Sequence, residues 1–169
     1  MSDMREIRIE KLTLNVGAGK EQDKLDKGMK LIEFLTGIKP VQTRTNKRIP
    51  GWGLRPGLPI GCKLTLRNGI KEELIQKFVE ANEKNLKKSQ FDDNGNISFG
   101  IHEYINIPGI KYNPDIGIMG FQISITLSRR GARVSKRRLK RTKIPIKHRV
   151  SKNDAIKFMK DKFNVEIVE

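Results

Sequence analysis

Phe121, Ile123, Ile125 and Leu127 alternate without a break with Gln122, Ser124, Thr126 and Ser128. A strict two-residue period sends every apolar side chain to one face of a strand and every polar one to the other. Such a segment is therefore satisfied only in a sheet with one dry and one wet face. Ile97, Phe99 and Ile101 repeat the pattern against Ser98, Gly100 and His102, and residues 60–67 repeat it again. Residues 6–16 read as a strand whose apolar parity switches between Ile7/Ile9 and Leu12/Leu14/Val16, which predicts a bulge near Glu10 and Lys11. Residues 41–45 and 164–168 read as shorter strands.

Helical spacing takes over elsewhere. From Lys20 the apolar residues Leu25, Met29, Ile32 and Leu35 share one face, Gly37 is a natural C-cap and Pro40 prevents continuation. Asn68-Gly69 is expected to open a second helix with Ile70, Leu74, Phe78, Val79 and Leu86 inward, ending at the turn Asp92-Asp93-Asn94-Gly95. Ser151 and Asp154 resemble a capping box before a third helix through Ile156 and Met159. This order predicts an α+β fold: a single domain over 1–169, with one antiparallel sheet, helices on one face and the other face open. A Gly/Pro-rich loop, 46–59, and a basic arm, 129–149, extend from that body.

If Ile60, Cys62, Leu64 and Leu66 meet the helices, then Lys63, Thr65 and Arg67 point away, joined by Thr13, Asn15, Gln122, Ser124, Thr126 and side chains from 41–45. That open face is polar, small and basic, without carboxylates. Hydroxyls and amides can bond to ribose 2′-OH groups and base edges, and Lys and Arg reach phosphates. The charge distribution points the same way. Of 35 Lys and Arg, 8 lie in residues 34–71 and 12 in residues 116–153, tracts with no Asp or Glu, leaving 15 basic residues against 19 acidic elsewhere. A merely solvated basic surface would intersperse the signs, whereas segregated cations are what a polyanion-binding surface needs. Residues 129–141 are the densest run, predicted to be extended or mobile until a polyanion neutralises it. A nuclear-localisation signal is the bland alternative, but this run interrupts the chain between a strand and a helix.

Other motifs fail on spacing. Val16-Gly17-Ala18-Gly19-Lys20 lacks Walker spacing and has Glu21 where a hydroxyl would hold magnesium, and the segment after Gly51-Trp52-Gly53 reads as a strand where a dinucleotide fingerprint needs a helix. His102, His148 and Cys62 have no metal-ligand spacing, and the Gly of the Asp92 turn comes too early for a calcium loop. No cofactor, metal or catalytic residue is therefore expected. An RNA-processing or RNA-modifying enzyme using the same basic surface is the alternative, and it would need a nucleophile, metal cluster or cofactor loop. One cysteine excludes an internal disulfide, no apolar run spans a bilayer, and the first residues lack a signal peptide's apolar stretch. These features predict a cytoplasmic protein without a membrane partner.

Four blocks carry a family resemblance: Leu14-Asn15-Val16-Gly17-Ala18-Gly19; Leu35-Thr36-Gly37-Ile38-Lys39-Pro40-Val41-Gln42-Thr43-Arg44-Thr45; Leu58-Pro59-Ile60-Gly61-Cys62-Lys63-Leu64-Thr65-Leu66-Arg67; and Phe99-Gly100-Ile101-His102-Glu103. In this order they resemble the large-subunit ribosomal protein L five family, which binds 5S ribosomal RNA. Lys147-His148-Arg149-Val150-Ser151-Lys152-Asn153-Asp154-Ala155 is similar to its archaeal and eukaryotic branch, and the lack of long terminal extensions favours an archaeal-type member. The resemblance implies a non-enzymatic ribosomal protein that docks its sheet on 5S rRNA in the central protuberance of the large subunit. With the reading of the open face, it gives Asn15, Thr43, Arg44, Lys47, Lys63, Thr65 and Arg67 as the 5S rRNA residues. Trp52, Leu54 and Arg55 become the loop facing the P-site tRNA. Further expected partners are 23S rRNA and a small-subunit protein across the interface, with no homo-oligomer. Arg129, Arg130, Arg133, Lys136, Arg137, Arg138, Lys140 and Arg141 are the candidates for other rRNA contacts. Asn46 and Ile38 depart from the family pattern, which often has a basic residue and Gln there.

Overall fold

The computed structural model describes residues 3–67 and 72–168. The chain runs β1 (Ile7–Gly17), α1 (Gln22–Thr36), β2 (Val41–Arg44), β3 (Pro59–Leu66), α2 (Glu72–Ala81), β4 (Asn85–Lys87), β5 (Asn96–Ile101), β6 (Phe121–Arg129), α3 (Lys152–Phe163) and β7 (Glu166–Val168). The architecture is the expected α+β, with three helices and a five-stranded antiparallel sheet in the order β2-β3-β1-β6-β5. Alternation carried the strand assignments because each buries one face. Along β6, Phe121, Ile123, Ile125 and Leu127 are buried while Gln122, Ser124 and Thr126 are not. In β1, Leu12, Leu14 and Val16 are buried, and Ile7 and Ile9, of opposite parity, are half-buried.

Two compact units divide the chain: Met1–Leu12, Arg67–Phe99 and Ser124–Glu169 in the first, and Thr13–Leu66 and Gly100–Ile123 in the second. In the second unit, α1 buries Leu25, Gly28, Leu31 and Ile32. Gly28 is needed because a Cβ there would stand 2.9 Å from Val16 Cγ1 and 3.3 Å from Cys62 Sγ, so α1 lies close over β1 and β3. The helix stops as expected at Gly37, whose left-handed φ of 71° lets its N–H reach the Glu33 carbonyl at 2.7 Å. The wholly buried Tyr104 accepts the Asn113 N–H on its hydroxyl at 2.8 Å, pinning the irregular chain before β6.

In the first unit, α3 opens with the anticipated capping box: the Asp154 N–H donates to the Ser151 hydroxyl at 3.3 Å, and the Ser151 N–H to the Asp154 carboxylate at 3.1 Å. Two expectations need correction here. The second helix does not continue to the Asp92 turn. It ends at Ala81, and Glu83 and Lys84 take left-handed φ values of 56° and 58° that no helix tolerates. Leu86 is buried as expected, but from β4. The expected last strand is present as β7, but outside the one antiparallel sheet that was expected: it pairs in parallel with β4, Leu86 opposite Ile167. The predicted opening at Asn68-Gly69 and the inward Ile70 lie outside the described residues.

Candidate nucleic-acid interface

Register builds a polar platform in the second unit. Antiparallel pairing sets Val41 opposite Lys63 and Thr43 opposite Gly61, and the shift between Thr43 and Arg44 then brings Arg44 against Pro59. Cys62 and Leu64 are buried, so Lys63 and Thr65 occupy the other face of β3. Lys63, Arg44 and Val41 are exposed, while Thr43, Thr65, Thr13 and Asn15 are half-buried. Asn15 is oriented by donating its Nδ2 to Gln122 Oε1 at 3.2 Å. Gly61 keeps the platform flat, since a Cβ there would fall 2.5 Å from the Val16 carbonyl oxygen and 3.2 Å from Thr43 Oγ1. Five of the seven candidates for 5S rRNA thus lie in β1, β2 and β3. Lys47 is exposed in the following loop, and Arg67, also exposed, belongs to the first unit.

The Gly/Pro-rich loop is folded upon itself. Thr45 donates its N–H to the Leu58 carbonyl at 3.0 Å and accepts Gly57 N–H at 2.8 Å, which closes the base. Its hydroxyl donates to the Lys47 carbonyl at 2.9 Å. Ile49 and Leu54 exchange both backbone bonds, at 3.0 and 3.1 Å, around a 3-10 turn at Pro50–Trp52. Of the three residues named for the loop expected to face tRNA, Leu54 is buried and anchors the loop. Trp52 is 70% exposed and Arg55 is exposed.

The basic arm differs from its expectation. It is not extended, and three of its cations pair with acidic residues distant in sequence. Arg129 donates to Asp154 at 2.9 Å and to the Lys147 carbonyl at 3.3 Å. Arg130 pairs with Glu6 at 3.2 Å, and Lys136 pairs with Glu10. A 3-10 turn at Ala132–Ser135 follows Gly131, whose φ of 87° permits the reversal, and a ring nitrogen of His148 bonds the Arg130 carbonyl at 2.8 Å. Arg133, Lys136, Arg137, Arg138, Lys140 and Arg141 remain exposed cations. Lys143, Lys147 and Arg149 are exposed as well, candidates that density alone had not singled out beyond Arg141. Burial opposes ionisation of Asp154, but the Ser151 hydrogen bonds and Arg129 outweigh it and hold the carboxyl below its ordinary value. The pairing of Glu6, Glu10 and Asp154 with the arm is what sequence reasoning did not foresee. A run of cations sequesters nearby carboxylates, but nothing local says which.

Among the described residues no group of three or more His, Cys, Asp or Glu could hold a metal ion, and no helix is long and apolar enough to cross a membrane. The chemistry on offer is hydrogen bonding and cation–phosphate attraction.

Comparison with known proteins agrees with this chemistry. Residues 2–55 match the family model described as Ribosomal protein L5, and residues 59–160 match the model for the C-terminus of the same ribosomal family. A protein named large ribosomal subunit protein uL5 from Methanobrevibacter smithii is 45% identical over 99% of each chain. Its namesake in Sulfolobus acidocaldarius is 47% identical over 98% of this chain and 93% of the relative. A third, in Nanoarchaeum equitans, is 46% identical over 98% of both.

Proposed function

Since the chain belongs to the ribosomal protein L5 family as an archaeal-type member, we propose that it binds 5S rRNA through the β1–β2–β3 platform and helps anchor that RNA in the central protuberance. It is a structural, non-enzymatic protein of the large ribosomal subunit, which places it on the cytoplasmic ribosome and sets aside the RNA-processing alternative. The observation that carries the proposal is the platform itself. Thr13, Asn15, Thr43 and Thr65 offer donors and acceptors for 2′-OH groups and base edges, and Lys63 and Arg44 stand beside them as phosphate partners.

The arm supplies a second rRNA-binding surface through Arg133, Arg137, Arg138, Lys140 and Arg141, and 23S rRNA is a further partner of the protein. The loop supplies the third: Trp52 offers a ring for stacking and Arg55 a cation, in reach of a P-site tRNA, and a small-subunit protein is a further partner across the interface. A gel shift of purified protein on 5S rRNA across a salt series tests the main claim. Retention at moderate salt, with log affinity falling by several units per log unit of salt, is expected from the phosphates neutralised. Failure to retain 5S rRNA refutes it.

A further inference from the structure

We propose that a cavity beside the basic arm receives one unstacked nucleotide of the bound RNA, with the base inside and its phosphate at the rim. This rests on the RNA-binding reading above but adds a site to it. The cavity, of about 430 Å³, lies wholly within the first unit, between the end of β6, the turn before β5 and the arm. That size is in the range of small-ligand sites and far above the roughly 30 Å³ share of a single water.

Its lining is of the kind a nucleobase needs. Ala132, Ile144 and Val150 supply apolar walls on which a planar ring can lie. Thr126 and Ser128 both line it, and neither hydroxyl is engaged with another group among the described residues. Asn96 donates its amide nitrogen to Asp92 at 2.9 Å, so the acceptor it can offer a ligand is its carbonyl oxygen. Hydroxyls plus an amide acceptor can meet the mixed donor and acceptor edge of a base, while Arg129 and Lys136, which also line the cavity, suit the phosphate of the same nucleotide. One carboxylate, Glu10, also lines the site, and it is engaged by Lys136. The exposed cations Lys143 and Arg149 also line the site and can meet a phosphate at its entrance. Gly95 keeps this geometry open: its φ is 76°, and a Cβ there would sit 2.7 Å from Val150 Cγ1.

The test is base-edge chemical probing of 5S rRNA alone, with the protein, and with two variants. Ala132→Phe fills the cavity from the arm side, and Thr126→Val removes a hydroxyl at nearly constant volume, so circular dichroism should show both folded. With the native protein, one nucleotide reactive in free RNA should become protected. Ala132→Phe should return that nucleotide alone to full reactivity and weaken binding roughly tenfold, the worth of one base buried against aliphatic walls. Thr126→Val should give a several-fold loss at the same nucleotide. Variants with the native footprint and affinity, or with uniform weakening at no particular nucleotide, overturn the cavity assignment while leaving the proposed function standing. Native protein that does not bind 5S rRNA overturns both.

Discussion

The platform of the second unit and the arm of the first carry the same sign of charge but hold it in opposite ways. On the platform and its loop, Arg44, Lys47, Arg55 and Lys63 have no ion pair among the described residues. In the arm, Arg129, Arg130 and Lys136 are each engaged by a carboxylate of the protein itself. Under the proposed function, a phosphate at the platform would meet exposed cations beside threonine hydroxyls, with no protein carboxylate to displace. At the arm it would compete with Asp154, Glu6 and Glu10, the carboxylates paired with Arg129, Arg130 and Lys136. Segregated charge is thus not one device but two: an open surface and one whose first cations are paired within the protein.

The contrast is most exposed to test at the platform. Lys63→Glu with Thr65→Glu puts two carboxylates on the face of β3 that should meet RNA, and about a hundredfold loss of 5S rRNA affinity is expected. Unchanged affinity in a salt-matched gel shift would move the site off the sheet. Gly61→Ala acts on the same face through the backbone, because the new methyl meets the Val16 carbonyl oxygen. A loss of about 2 kcal/mol of folding stability, read by urea denaturation, is the expected result.

On the arm the effects should be smaller. Asp154→Asn removes the partner of Arg129 and half of a capping box, which should cost about 1 kcal/mol near neutral pH, the ion pair being partly exposed. A pH series adds a second check. The carboxyl titrates below its unfolded value, so its contribution is complete above the ordinary aspartate range and disappears as the pH falls through the depressed value. The variant should therefore differ from the native protein at about pH 7 and converge with it in acid. The smallest effect belongs to Glu10→Gln. Freeing Lys136 from its partner should tighten RNA binding by a few-fold at low salt and leave it unchanged at high salt. Weaker binding would mean that the pair positions the arm and does not restrain it.

What could be read from the residues alone follows the range of each signal. Alternation along β6 and the helical spacing of Leu25 and Ile32 before Gly37 are local, and the structure reproduces both. So is the Ser151 box. The end of α2 was missed because Glu83 and Lys84 carry no sign of left-handed geometry, and Leu86 is apolar in either period. The β4–β7 pairing joins two three-residue strands some eighty residues apart, and neither has length enough to announce itself. The platform was legible since parity decides which side chains share a face. The folded arm was not, because charge density says how strongly a run repels itself and nothing about which remote carboxylates the fold brings to it. Leu54 shows the same limit on a smaller scale: a loop's composition does not tell which of its side chains is the anchor.

Cys62 is wholly buried beneath Gly28 of α1, and its thiol is pushed up to about 11 by that burial. A thiol in that state does not meet an alkylating reagent until the helix lifts from the strand, so the labelling rate counts how often it does so. With one cysteine in the chain, the protein carries its own stopwatch for the breathing of the layer behind the platform. Docked RNA that clamps β1 against β3 should slow it.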